Sequence, residues 1–364
     1  MFSVEDNVRD LLDKALGSEP LSLRDGIKLF ESDVQLTGLI ADCLRKSSAG
    51  DVVTFVIDRN INYTNVCISG CKFCAFYRSS KAGDAYVLTI EELLKKVAEA
   101  VKLGAMQVLL QGGHHPELPI EYYENMLRSM REEFPQVQRH AFSPSEIAHI
   151  AKISSSSIKE TLKRLIEAGL QSIPGGGAEI LDDKIRKKIS PKKIDWKGWR
   201  NVMLTAHSLG LPTTATMVYG LTEGYRERAK HILRIREIQE KTHGFTAFIP
   251  WSFQPGNTAL AKKYNIAGSS GIEYLKVVAV SRILLNGTIR NIQASWVTQG
   301  ERIAQVALSY GANDFGGTMI EENVVRATGA GSQYLPPEEI IRLIKNAGRP
   351  AAQRDTLYRI LKRY

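Results

Sequence analysis

Cysteine is scarce in this chain, with four in 364 residues. So low a count excludes a disulfide framework, which belongs to short, cysteine-dense secreted folds. Long apolar runs are also missing. None approaches the ~20 residues that cross a bilayer, and the opening MFSVEDNVRD carries acids where a signal peptide has its apolar core. These absences predict a cytoplasmic protein with no membrane partner. No proline-, glycine- or serine-rich linker divides the chain, and no internal repeat organises it. Acidic residues are outnumbered, 39 against 48 Lys and Arg, leaving a net charge of +9. Part of that surplus lies in DDKIRKKISPKKIDWKGWR, residues 182–200. Aromatic residues are not interleaved along a wider basic surface, so base stacking is not expected and the run reads as a solvated helix face.

What is present describes a large α/β domain. Apolar residues at 43% are enough for a substantial core. Residues 1–50 read as a helical extension packed on the main domain. Ser22 with Asp25 marks a helix start, and Leu23, Ile27 and Phe30 recur at helical spacing. From residue 51 to 364 short apolar runs alternate with amphipathic stretches. The strand candidates are VVTFVIDR, MQVLLQGG, QRHAFS, QSIPGG, TTATMVYG, GFTAFIP, NIQASW and GANDFGG. Thr89 with Glu92 and Ser143 with Glu146 form capping-box patterns, the second with Pro144 at the first helical position. Eight strand–helix units predict a (β/α)8 TIM-type barrel with C-terminal helices. A doubly wound open sheet is the competing architecture, because strand order is not written in one sequence.

Three of the four cysteines, Cys67, Cys71 and Cys74, fall within NVCISGCKFCAFYR. Structural zinc takes four ligands, usually as two close pairs, and this triplet has no second half. His114 and His115 are adjacent, so on extended backbone their side chains diverge. A zinc-stabilised, basic nucleic-acid-binding protein is therefore the weaker reading. An iron–sulfur cluster fits better, since one loop of thiolates wraps three corners of a [4Fe–4S] cube. Three ligands leave one iron without a protein ligand, and that opening points to chemistry rather than electron storage. The triplet also follows the first strand, on the face where barrel active sites form.

The C-x-x-x-C-x-aromatic-C spacing, with Phe73 as the aromatic, resembles the signature of the radical S-adenosylmethionine (SAM) enzymes. The resemblance implies that Cys67, Cys71 and Cys74 hold the cluster, and that its open iron chelates the amino and carboxylate groups of SAM. Reductive cleavage of SAM then yields a hydrogen-abstracting 5′-deoxyadenosyl radical. QGGHHPELPIEYYENML, HAFSPSEI, SIPGGGAEIL, PWSFQPGNTAL, ASWVTQG and GANDFGGTMIEENVV extend the likeness over nearly the whole chain. They are similar to a family of cyclic dehypoxanthinyl futalosine synthases, aminofutalosine synthases and deazaflavin-chromophore synthases. SIPGGGAEIL and PWSFQPGNT lean to the cyclase branch of the menaquinone route. That branch implies dehypoxanthine futalosine as substrate: hydrogen abstraction at the ribose C4′, radical addition to the benzoate ring, then loss of a proton and an electron. It also implies a reducing donor such as flavodoxin or ferredoxin, and no nucleic-acid partner. His114 stands where the family more often has Leu, whereas His115 keeps the match.

The same resemblance assigns further residues. Gly112 and Gly113 let backbone approach the methionine amino group, and Glu179 takes the SAM ribose hydroxyls. GGGAEI does not match G-x-G-x-x-G, which removes a dinucleotide-binding reading. Arg186, Lys188 or Lys192 is the partner of the SAM carboxylate, with no choice among them. Phe73 flanks the adenine and Phe76 packs nearby. His140 and Phe142 alternate on one strand and so share a face, with Ser143 at its end, and this places His140 and Ser143 on the substrate side. Asp314 is the candidate base for the final proton loss and His115 the alternative. Arg290 or Ser295 is expected to clamp the benzoate carboxylate. Glu321 and Glu322 serve the helix that follows them, and Cys43 packs inside its helix.

Overall fold

The structure is a computed structural model that describes residues 13–17, 20–330 and 334–364. The opening decapeptide lies outside the described residues.

The parallel strands close into a ring. β1 (Val53–Val56) and β2 (Asp58–Ile61) are the two halves of one strand, interrupted at Ile57. β2 pairs with β3 (Gln107–Leu110), and β3 with β4 (Gln138–Ala141). Single bridges, His140 to Ser172 and Ile173 to Thr213, carry the ring through a minimal fourth strand to β5 (Thr213–Tyr219). β5 pairs with β6 (Phe245–Ser252). Bridges from Phe248 to Ile292 and from Gln293 to Asp314 pass through a seventh strand equally short. β7 (Asp314–Gly317) returns to β1. Closure excludes the open sheet and establishes the (β/α)8 barrel. QSIPGG fails to form a longer strand because Pro174 has no N–H to pair and three glycines follow it.

Helix starts are set by the residues that cap them. The side chains of Ser22, Thr89 and Ser143 each accept the N–H three residues on, and the acid there returns the bond. The helices Leu23–Glu31 and Val34–Ala49 lie against Tyr225–Thr242 and Gly271–Leu284, and their Phe30, Ala41 and Leu44 enter the main core. Cys43 does not pack inside. It is on the solvent side of its helix, between the buried Ala41 and Leu44.

The C-terminal part differs from the expected helices. One helix, Pro337–Asn346, is followed by β8 (Ala351–Arg354) and β9 (Ile360–Arg363). β8 runs parallel to the lower half of β1, and β9 folds back on it antiparallel. The turn between them plugs the base of the barrel: Thr356 donates through its N–H to Gln138 Oε1 at 3.0 Å and through its hydroxyl to Gln107 Oε1 at 2.7 Å.

Side-chain alternation then lines the interior in layers. Along the first strand Val56 and Asp58 face a lower chamber, and Asn60 and Asn62 an upper one. On β5 the sequence is Thr214, Thr216, Val218; on β6 it is Ile249, Trp251, Phe253. Thr216 and Trp251 belong to both chambers and form part of the neck between them.

Candidate active site

The loop after the first strand carries the three cysteines and is tied down through its backbone. Cys67 N–H donates to Arg78 O at 3.0 Å and Ile68 N–H to His114 O at 3.1 Å. Lys72 N–H bonds Ile189 O at 2.9 Å, and Lys72 O receives Leu260 N–H at 2.7 Å. Cys74 N–H closes a turn on Cys71 O, and Gly70, just ahead of it, takes a positive φ of 56° that glycine adopts freely. Gly113 has a different reason to be glycine. A Cβ there would lie 2.1 Å from Val66 O, so the second-strand loop touches the cysteine loop backbone to backbone. At Gly112 the same atom would strike the Tyr63 ring at 2.5 Å, and its N–H is taken by Glu146 at 2.9 Å. Both glycines line the cavity as expected, but close packing on the loop is what demands them.

Cys67, Cys71 and Cys74 face a cavity of about 1680 Å³, its open mouth included, at the C-terminal ends of the strands. Among the described residues no three His, Cys, Asp or Glu side chains converge on a point that would hold one ion. Three thiols on one loop that line one cavity suit the corners of an iron–sulfur cube. Burial pushes the Cys71 thiol up to about 12 despite the nearby Lys193 ammonium, so its thiolate calls for a bound cation.

Among the described residues that line the cavity, the Lys or Arg present is Lys193. Its Nζ donates to Glu179 Oε1 at 2.8 Å and lies 5.5 Å from the centroid of the Phe73 ring. Burial opposes its charge, but Cys71 and Glu179 outweigh that and raise its pKa. Glu179 is buried as well, and Lys193 with Arg186 overcomes the burial to lower its pKa. Arg186 does not face a ligand. Its guanidinium is spent on Gly177 O, Ala178 O and Ile194 O and reaches Glu179 Oε2 at 3.3 Å, which holds the strained turn where Glu179 has φ of 41°. Lys188 leans over the Tyr264 ring and Lys192 is exposed. The basic run at 182–200 is thus partly internal.

Residues 61–235 match the Radical SAM superfamily, and residues 242–363 match the CofH/MqnC C-terminal region. The cyclic dehypoxanthine futalosine synthase of Halalkalibacterium halodurans is 45% identical over 98% of this chain and 96% of its own. This chain belongs to the radical SAM superfamily. A second relative, the 5-amino-6-(D-ribitylamino)uracil–L-tyrosine 4-hydroxyphenyl transferase of Methanocaldococcus jannaschii, is 46% identical over 94% of this chain and 97% of its own. Among solved structures the [FeFe]-hydrogenase maturase HydG superposes with a TM-score of 0.77, at 16% identity over 98% of this chain and 77% of that one. Methylornithine synthase PylB gives 0.72 at 17% identity, over 93% and 96%. Those two likenesses confirm the barrel. A [4Fe–4S] cluster and SAM are the cofactors of this radical SAM enzyme.

The radical SAM cavity gathers most of the residues expected of it. Phe73, Phe76, Gly112, Gly113, Ser143, Glu179 and Ser295 line it with the three cysteines. Ser143 caps the helix Pro144–Ile153, and Ser295 Oγ is 2.9 Å from Thr298 Oγ1. Glu322 lines it too and accepts the N–H groups of Val324, Val325 and Arg326, whereas Glu321 pairs with Arg59 and Lys96.

Other assignments need correction. Asp314 is not at the top of its strand; it begins β7, on the barrel floor, where Arg354 binds both of its oxygens at 2.5 and 3.0 Å. Thr54 Oγ1 adds a third bond at 2.6 Å and Gly316 N–H a fourth at 3.0 Å, so both lone pairs of each oxygen are taken and none is left for a substrate proton. His115 lies outside the cavity, and its Nδ1 accepts the Glu117 N–H. His114, set aside on sequence, is the one within: its Nδ1 is 2.7 Å from Ser69 Oγ and its ring stacks on His149 at 5.0 Å. Arg290 is exposed, ahead of the short seventh strand, and clamps nothing in the cavity. His140 faces the lower chamber, bonded to Ser172, and burial with Arg354 drives its pKa down to about 3. Phe142 does not share that face. Its φ of 59° ends the alternation and turns the ring into the outer core, edge-on to Tyr63 and Tyr123.

Proposed function

We propose that this chain is a radical SAM cyclase that converts dehypoxanthine futalosine to its cyclic form in menaquinone formation. The end-to-end likeness to the Halalkalibacterium synthase carries the reading. A cavity that continues below the thiols into a second chamber, large enough for a two-ended substrate, supports it. Cluster and SAM together supply a 5′-deoxyadenosyl radical when bound. The chain's own tasks are to exclude water and to hold the ribose C4′ near that radical. Trp251, Phe253, Trp296 and Met319 give the apolar wall, and Asn60, Asn62 and Gln111 offer bonds to sugar hydroxyls.

Lys193 replaces Arg186, Lys188 and Lys192 as the partner of the SAM carboxylate. Glu179 faces the ribose hydroxyls, Gly112 and Gly113 border the methionine amino group, and Phe73 and Phe76 flank the adenine. Lys193→Met is expected to weaken SAM binding about 10–100-fold, the loss of one charge-assisted hydrogen bond of about 1.5–3 kcal/mol. Titration of SAM against the reconstituted variant measures it. Arg186 still holds Glu179 there, so the fold is expected to survive. Reduction comes from a soluble flavodoxin or ferredoxin in the cytoplasm, and no nucleic acid takes part.

A second reading has its own support, because the Methanocaldococcus transferase is as similar as the synthase. Anaerobic turnover with SAM separates them. The cyclase reading expects 5′-deoxyadenosine and a product two hydrogens lighter from dehypoxanthine futalosine, with deuterium from C4′ recovered in the 5′-deoxyadenosine. If 5′-deoxyadenosine forms only with tyrosine and the ribitylaminouracil, the transferase reading replaces it.

A further inference from the structure

Cyclisation leaves a ring carbon that must lose a proton, and the two bases named from sequence are unsuited by position. Four other groups that line the upper cavity are engaged. Glu179 is held by Lys193 and Arg186. Glu146 accepts from Tyr63 Oη, Gly112 N and Ser143 N, and Glu322 accepts three backbone N–H groups. His114 is bonded to Ser69.

The first strand offers another carboxylate. Asn62, Asn60 and Asp58 descend one face of it at alternate positions, so Asp58 lies about 7 Å further down the strand than Asn60. Its carboxylate enters the lower chamber, which joins the upper one through Gln111, Thr216, Trp251, Gln293 and Met319. Gly317 makes room for it, since a Cβ there would lie 2.1 Å from Asp58 Oδ1. Met319 N–H donates to its carboxylate Oδ1 at 2.9 Å. A substrate held with its ribose C4′ at the thiol end would present the adjoining benzoate ring to the neck above Asp58.

We propose that Asp58 accepts the proton lost from the benzoate ring after C4′ has bonded to it. The inference rests on the cyclase reading. The ring C–H bond breaks, its proton passes to the Asp58 carboxylate, and aromaticity returns. The one electron in excess leaves to a one-electron acceptor, an oxidised iron–sulfur cluster. The site has a pKa suited to that role. Burial raises Asp58 to about 6, against the pull of the Met319 N–H and Arg354, so it is ionised at neutral pH yet holds a proton readily. The titratable or charged groups that share its surroundings are Arg354 and Asp314 on the floor, and His140 and Tyr358 in the lower chamber.

The test measures cyclised product per 5′-deoxyadenosine in the reconstituted full-length enzyme. Asp58→Asn keeps the shape of the side chain and removes the base. It is expected to form 5′-deoxyadenosine and to take up C4′ deuterium as the parent does, while cyclised product falls about 100-fold or more. In the parent the ratio is expected to fall as pH drops through about 6 and to be flat above it. An Asp58→Asn ratio equal to the parent's overturns the inference and leaves the cyclase reading standing. Should that variant not fold, a parental ratio that is flat from about pH 5 to 8 overturns it equally. No 5′-deoxyadenosine from the parent with this substrate overturns the cyclase reading and the inference together.

Discussion

Cys71→Ala is expected to abolish SAM cleavage and leave a folded, colourless protein. Each thiolate binds one iron of the cube, and two remaining ligands on one loop hold a cluster poorly. The loop itself does not depend on the sulfur. Its shape is held by main-chain bonds from Lys72 to Ile189, from Leu260 to Lys72 and from Cys67 to Arg78, none of which the substitution touches. Removing a buried thiol whose ionisation is disfavoured costs the apoprotein little, so the melting temperature before reconstitution is expected to match the parent's. Iron and sulfide analysis, the spectrum of the dithionite-reduced protein and 5′-deoxyadenosine formation check the outcome together. A variant that keeps its iron and cleaves SAM would remove the three-thiol site as the cluster's seat.

The second large effect lies at the other end of the barrel. Arg354→Met is expected to destabilise the fold by about 3–5 kcal/mol, the usual cost of breaking a buried ion pair from one side. The guanidinium binds both oxygens of Asp314, reaches Asp355 O and lies 3.9 Å from the centroid of the Tyr358 ring. Asp314 is fully buried and Asp58 is close enough to feel the same charge. Without the cation, two buried carboxylates are left close together with no counter-charge. Urea unfolding of the apoprotein measures the loss, and Arg354→Met with Asp314→Leu is expected to recover most of it because no charge is then stranded. If Asp314 were instead the catalytic base, Asp314→Asn would abolish product and leave stability near the parent's.

Much of this molecule was legible in its residues, and the illegible parts have common causes. The three helix starts at Ser22, Thr89 and Ser143 were readable because a capping box is a local exchange of hydrogen bonds. The cysteine loop was readable because its chemistry is a matter of spacing. Direction was harder. Asp314 belongs to the right strand but to its lower end, and sequence does not say where within GANDFGG pairing begins. Phe142 left the face of His140 through one positive φ that nothing but glycine would have announced. Lys193 is not distinguished by sequence from Arg186, Lys188 and Lys192, since only the fold decides which of them turns inward. β8 has no signal in the sequence because AAQR has neither β-branched nor aromatic residues and owes its pairing to β1.

That last pairing has a consequence for how the protein is made. β1 is among the first strands to leave the ribosome, yet both neighbours of its lower half, β7 and β8, are among the last. Until then the earlier strands form an open trough whose base carries an uncovered Asp58. Contacts between such distant segments form slowly. The growing chain therefore spends most of its synthesis with an exposed edge at β1, where another chain is able to add. Expression yield is expected to depend on chaperone supply during elongation more than on the stability of the finished barrel.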